Sequence, residues 1–252
     1  MLHKILKLMH RKILGVLGGM GPEASAYFYM LITKLTKAKK DQDHISMIIY
    51  SEPTIPDRTK AFLGQGPSPF PAMIEAIKLL ERSGANLIAI PCNSAHYWIN
   101  ELKKNTNVQI INMIEEFVKD LTRLHYKKVG LLATTITIQS KLYERYLKLY
   151  NIEIILPQNQ EEIMQAIYYV KANKIKKAKK IFIKASKELE KNGAQAIVAG
   201  CTEVPLALKP RDLHIPLLDP MVSLAKKCII ETKGIRALNQ QMYKKLWPTS
   251  FK

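Results

Sequence analysis

The stretch LLERSGANLIAIPCN, residues 79–93, has a near copy at ELEKNGAQAIVAGCT, residues 188–202. Leu80, Glu81, Gly84, Ala85, Ile88 and Cys92 in the first meet Leu189, Glu190, Gly193, Ala194, Ile197 and Cys201 in the second. Arg82 meets Lys191 and Asn86 meets Gln195. Each copy reads as the end of a helix, a glycine of the kind that closes helices, a short apolar run, and a cysteine followed by a polar side chain. Two more pairs stand in the same order: KILGVLGG with KKVGLLAT, and IINM with LLDP. Similarity repeated in order predicts duplicated α/β lobes related by a pseudo-twofold axis. We place the first lobe over residues 1–118 and the second over 119–252. The crossing falls near residues 112–126, and the last helix is free to return to the first lobe.

Around the repeat, strand-like and helix-like patterns alternate. Strands are predicted at 12–18, 44–51, 86–92, 108–114, 127–133, 152–157, 196–201 and 215–219. Helices are predicted over 22–38, 71–84, 94–105 and 115–125, with the same scheme in the second half. This alternation implies mainly parallel sheets covered by helices on both faces.

The chain has 252 residues and an apolar fraction of 47%, enough for one large domain or two smaller ones with real cores. No long uncharged apolar run is present, so no membrane span is expected. The opening MLHKILKLMHRK is broken by Lys and His, unlike a signal peptide. Residues 1–11 read as a basic leader, with Met9 as an alternative start. The formal net charge is +18. Its lysines are spread over many helices, crowding only at KANKIKKAKK (171–180), and no nucleic-acid-binding signature accompanies them. A solvated lysine-rich face is the simpler reading, and nucleic acid is not expected as a partner. The charge can still draw anionic substrates. Three cysteines without a C-x-x-C pair argue for a reducing cytoplasm. Cys228, in LAKKCIIET, reads as a packing residue.

Cys92 and Cys201 each end a predicted strand and precede a helix. Ligands of open parallel sheets bind beyond the carboxyl ends of strands, so facing lobes would present both thiols to one cleft. The helix N-termini that follow would lower a thiol pKa and hold a carboxylate. Two thiols facing one carbon suit removal of a proton from one face and delivery to the other. Rival readings attach to the same residues. His96 with the two cysteines outlines a zinc site, but closed soft sites want four ligands. GGMGPEA carries the outline of a dinucleotide fingerprint, but Pro22 follows the second glycine and the next strand ends at Ser51–Glu52, later than the acidic position expected about 20 residues on. Arg58 beside Asp57 reads equally as a surface ion pair, and Lys171 as a solvated helix residue. Glu203 and Asp219, after strand ends, either orient a site group or cap the next helix.

The segments GVLGGMGPEAS (15–25), IPDRTKA (55–61), PCNSAH (91–96), GLLATTIT (130–137), IYYVKANK (167–174), GCTEVPL (200–206) and PLLDP (216–220) resemble the pyridoxal-phosphate-independent aspartate racemases of the aspartate/glutamate racemase superfamily. That resemblance implies two α/β lobes with the site between them, an acidic amino-acid substrate, no cofactor and a homodimer. It implies that Cys92 and Cys201 are catalytic, one for each enantiomer. Asn93, Ser94 and Thr202 match residues around the α-carboxylate and amino group, and Gly19, Met20 and Gly21 the glycine-rich loop beside them. Arg58 and Lys171 match cations for the side-chain carboxylate. Thr135 and Thr137 lie in the matching second-lobe loop. Ser94 and Ile136 stand where the family often has Thr and Gly, and 167–171 lacks an acidic residue often found there. Glutamate, broad-specificity and hydantoin racemases are the alternatives within the superfamily. A dinucleotide-dependent oxidoreductase and a basic nucleic-acid-binding protein are the alternatives outside it.

Overall fold

The computed structural model describes residues 12–248, so the expected leader lies outside the described residues. In chain order the elements are β1 (Leu14–Gly18), α1 (Pro22–Leu35), β2 (Met47–Ser51), α2 (Arg58–Phe62), α3 (Phe70–Arg82), β3 (Leu87–Ala89), α4 (Ile99–Lys104), β4 (Gln109–Ile110) and α5 (Met113–Leu121). There follow β5 (Lys128–Ala133), α6 (Thr135–Gln139), α7 (Glu144–Leu147), β6 (Glu153–Ile155), α8 (Gln160–Lys171), α9 (Ile175–Lys191), β7 (Ile197–Gly200), α10 (Val204–Ala207), β8 (Leu217–Leu218), α11 (Pro220–Lys233) and α12 (Gln240–Leu246). All strand pairs are parallel. The sheets have the orders β2-β1-β3-β4 and β6-β5-β7-β8, the same topology twice. The fold is the α/β, two-sheet architecture that the repeat implies.

The repeated residues do the same work in both halves. Gly84 and Gly193 take φ of 92° and 94°, a left-handed conformation that disfavours a side chain. Behind each, the next amide reaches back to the helix: Ala85 N to Leu80 O and Ala194 N to Leu189 O, both at 3.0 Å. This is the Schellman closure of α3 and α9. Asn86 Oδ1 then accepts from Ile13 N at 2.9 Å, and Gln195 Oε1 accepts from Lys128 N at 3.1 Å. Each amide ties the third strand of its sheet to the start of the first.

In both sheets the chain turns one way after the first strand and the other way after the third. The switch falls between β1 and β3, and between β5 and β7. There the following loops separate and leave a crevice at the carboxyl ends. A core shared by both halves, including Leu14, Phe28 and Phe117 with Val129, Tyr143 and Leu218, fixes one crevice against the other. Each large apolar side chain buried this way contributes about 1.5–3 kcal/mol. Helix α11 packs on α1 and α5. Beyond it, Leu238 bridges to Thr36, and Asn239 N donates to Leu35 O at 2.7 Å.

Candidate active site

Cys201 follows β7 directly and Cys92 follows β3 by three residues. Both are 5% exposed. They border one inner cavity of about 20 Å³, together with Met20, Arg58, Asn93, Ser94, Thr134, Lys171, Thr202 and Glu203. An outer cavity of about 490 Å³ adjoins it and takes in Gly19, Gly21, Ile55, Val170 and Leu206. Asp57, Arg58, Lys171 and Glu203 border both. A larger cavity, about 640 Å³, lies by β6 and α7 and is bordered by neither cysteine.

The glycine-rich loop leaves β1 at Gly19, whose φ is 90° and where an added Cβ would stand 2.3 Å from the Glu52 backbone. Gly19 N donates to Ser25 Oγ at 3.0 Å, which fastens the loop to the first turn of α1. Asp57 caps α2 through Thr59 N and Lys60 N at 2.8 and 3.0 Å. Arg58 is 8% exposed, so a surface ion pair is not its role. Its Nη1 donates to Ile55 O and Pro56 O at 3.0 and 2.8 Å, and Nη2 to Met20 O at 3.3 Å. Its Nε is buried without a partner among the described residues. Burial works against the charge of Lys171, but the negative charge of Glu203 first, then Cys201 and Asp57, outweighs it and raises its pKa.

Tyr143 donates a short hydrogen bond to Asn93 Oδ1, which leaves the Asn93 amide Nδ2 buried and unpartnered. Ser94 Oγ pairs with Thr134 Oγ1 at 2.8 Å, and Thr134 with Thr137 Oγ1 at 2.9 Å. Thr134 therefore lines the cavity, with Thr137 behind it. Thr135 instead donates its N–H to Met164 Sδ at 3.3 Å. The repeat held a signal for this: aligning KILGVLGG with KKVGLLAT sets Thr134 opposite Gly19. Tyr143 comes from a segment without a motif, so only the fold reveals it.

The helix expected after Cys92 is a 3₁₀ turn over Ser94–Trp98 before α4. His96 Nδ1 hydrogen-bonds Cys92 O at 2.8 Å, taking the carbonyl that an α-helix would give to the His96 N–H. That N–H turns to Asn93 O at 3.0 Å instead. Met113 N donates to His96 Nε2 at 3.0 Å, which fixes the neutral Nδ1–H tautomer. With both nitrogens engaged, His96 has no lone pair free for a metal. Burial pushes its pKa down to about 4. The expected lowering of a thiol pKa by a following helix is reversed at Cys201. Burial, and then the charge and hydrogen bond of Glu203, push that thiol well above its ordinary value. The four-residue α10 is too short to offset them.

Two buried thiols and two unpartnered donors, Arg58 Nε and Asn93 Nδ2, thus lie together between two like lobes. The Asp/Glu/Hydantoin racemase family pattern matches residues 17–228, and the chain belongs to that family, whose enzymes are isomerases acting as racemases. The chain is 30% identical over 227 residues to the broad specificity amino-acid racemase RacX of Bacillus subtilis (strain 168), covering 86% of this chain and 96% of that protein. Among solved structures, Picrophilus torridus aspartate racemase is similar at 34% identity with a TM-score of 0.85, over 92% of this chain and 97% of that one. An aspartate racemase homologue from Pyrococcus horikoshii OT3 matches at 27% identity and a TM-score of 0.70, over 88% and 99%. No described helix is long and apolar enough to cross a membrane.

Proposed function

We infer that the chain interconverts the enantiomers of aspartate by proton transfer between two thiols. The observation that carries this reading is the convergence of Cys92 and Cys201, from opposite lobes, on one cavity that also holds Arg58 and Lys171. One cysteine, as thiolate, takes the α-proton and becomes a thiol, leaving the electron pair on Cα. The opposite thiol gives its proton to the other face of Cα and becomes a thiolate. The roles exchange in the reverse direction. The carbanion's charge spreads into the α-carboxylate, where Asn93 Nδ2 is the free donor and the Ser94 hydroxyl can donate while accepting from Thr134; the Thr202 hydroxyl, which donates to Glu203, borders the same cavity. The free Nε of Arg58 and the Lys171 ammonium suit the distal carboxylate. Thiols carry every proton here, so the reaction calls for no pyridoxal phosphate. The inner cavity, about 20 Å³, is smaller than an amino acid.

We extend this reading to a homodimer, which the resemblance implies, and to a reducing cytoplasm, which three cysteines without a C-x-x-C pair suggest.

A broad-specificity racemase is the second reading. The outer cavity, about 490 Å³ and bordered by Ile55, Val170 and Leu206, favours it by leaving room for longer or apolar side chains. Incubation with single enantiomers of aspartate, glutamate and a neutral amino acid, followed by chiral chromatography, separates the two. Aspartate is expected to racemise fastest. Equal turnover of the neutral amino acid overturns the aspartate reading, and no racemisation of any of them overturns both.

A further inference from the structure

Glu203 occupies the N-cap position of α10 but makes no capping bond. Its Oε2 instead accepts the Cys201 S–H at 2.9 Å and the Thr202 O–H at 3.2 Å. Its Oε1 faces the other lobe, 3.4 Å from where a Cβ on Gly21 would stand. Glu203 is 4% exposed. It borders both cavities, whereas Cys201 and Thr202 border only the inner one. Three other residues share that double position. Asp57 Oδ1 caps α2, the Arg58 guanidinium keeps its charge at any ordinary pH, and Lys171 is a cation. Among these four, Glu203 alone is hydrogen-bonded to a cysteine.

The repeat gives the comparison that matters. Glu203 corresponds to Ser94, two residues after Cys92. Ser94 borders only the inner cavity, and its hydroxyl pairs with Thr134. The pseudo-twofold that relates the two thiols is broken at this position. Cys201 has a carboxylate leading outward, and Cys92 has a hydroxyl leading into the second lobe.

We propose that Glu203 is a positioning residue that keeps Cys201 a thiol in the resting enzyme and relays its proton to solvent in the outer cavity, a route Cys92 lacks. The proposal rests on the two-thiol reading above. When Cys201 acts as base, its thiolate takes the α-proton and becomes S–H. That proton passes to the Glu203 carboxylate, the carboxylic acid releases it to water, and a solvent proton returns by the same path. One proton leaves for each that enters, and no electrons move. Besides Glu203, the titratable and charged groups around this thiol are Lys171 on α8, which stabilises the thiolate, Tyr143 and Tyr168, and, bordering the same cavity, Cys92, Arg58 and Asp57.

The test uses deuterated water and single enantiomers, read at early times by the deuterium content of unreacted substrate. The enantiomer that Cys201 deprotonates is expected to pick up deuterium without inversion. The enantiomer that Cys92 deprotonates is expected to keep its hydrogen. Glu203→Gln, which keeps the shape and an acceptor for the thiol, is expected to slow this wash-in by about a hundredfold, the low end for a positioned acid–base group. Glu203→Asp is expected to restore part of it. In a chain carrying Cys92→Ser and Cys228→Ala, Cys201 is the remaining thiol, and ultraviolet absorbance of its thiolate follows its titration. There Glu203→Gln is expected to lower the midpoint by about one unit, a tenfold change in equilibrium, and Glu203→Asp to leave it high. Equal wash-in from both enantiomers, none from either, or wash-in that survives Glu203→Gln overturns the relay. A Cys201 midpoint that ignores Glu203→Gln overturns the resting-state half. The titration needs no turnover, so an inactive enzyme would sink the racemase reading while still deciding the Glu203–Cys201 link.

Discussion

Arg58 is held along one edge by three backbone carbonyls, while Nε on the other edge has no partner. In a planar guanidinium, Nε–H and the neighbouring Nη2–H point the same way and match the two oxygens of a carboxylate. The same carbonyls stop the side chain from swinging out, so little further ordering is needed for Nε–H to take a partner. Arg58→Leu removes a charge-assisted pair of about 1.5–3 kcal/mol. Steady-state kinetics should show KM for aspartate rising roughly ten- to a hundredfold, with a neutral amino acid much less affected. Arg58→Lys should not rescue it, because an ammonium offers no fork. Unchanged aspartate kinetics would move the determinant to Lys171. The arginine was legible in the sequence only through the family resemblance, since burial decides between ion pair and ligand. Glu203 was harder, because a carboxylate after a strand serves a cap or a thiol equally well until its direction is known.

At the scale of elements, the helix closures were legible because Gly84 and Gly193 need a left-handed backbone that few other residues accept. The strand-end cysteines were legible for a similar reason: apolar runs end where the chain turns polar. The 3₁₀ turn after Cys92 was not, because it depends on a side-chain bond from His96 to a backbone carbonyl. Helix α11 shows what the duplication left unequal. Asn112 caps α5 through Ile114 N at 3.1 Å, and at the matching position Asp219 caps α11 through Met221 N at 2.9 Å. Burial raises the Asp219 pKa to about 6, with Tyr27 and Lys209 partly offsetting it. A carboxyl raised in the folded state contributes stability that is fully present below its unfolded pKa, near 4, and is lost as pH climbs through about 6. Two units at about 1.4 kcal/mol each make the ionised form cost roughly 3 kcal/mol. Asp219→Asn keeps the cap acceptor and has no charge to bury. Urea unfolding should find it more stable than the native chain at about pH 8 and no more stable at about pH 4. A gap that is the same at both pH values would show that the burial of this charge is not what sets the difference.

At the scale of the whole molecule, the proposed reaction gives the duplication its purpose. A single lobe presents one thiol at the end of its third strand, which allows a proton to leave and return on one face only. A second lobe, turned about a pseudo-twofold axis and joined through a shared core, adds a thiol from the other side. In the proposed two-thiol mechanism racemisation needs both, since the proton must arrive on the face opposite to that from which it left. Cys92→Ala and Cys201→Ala should therefore each lower racemisation by about a thousandfold or more, within the range for loss of an acid–base group. Chiral chromatography of either enantiomer after incubation measures it. Each variant keeps one base. Cys92→Ala retains Cys201 with its Glu203 partner and should still exchange the α-hydrogen of one enantiomer in deuterated water, with retention. Cys201→Ala retains a thiol without that partner and should exchange the opposite enantiomer more slowly. Circular dichroism of both variants checks that the lobes still close on each other. Full racemase activity in either single variant is the result that the two-faced geometry cannot accommodate, because one thiol would then be serving both faces of the same carbon.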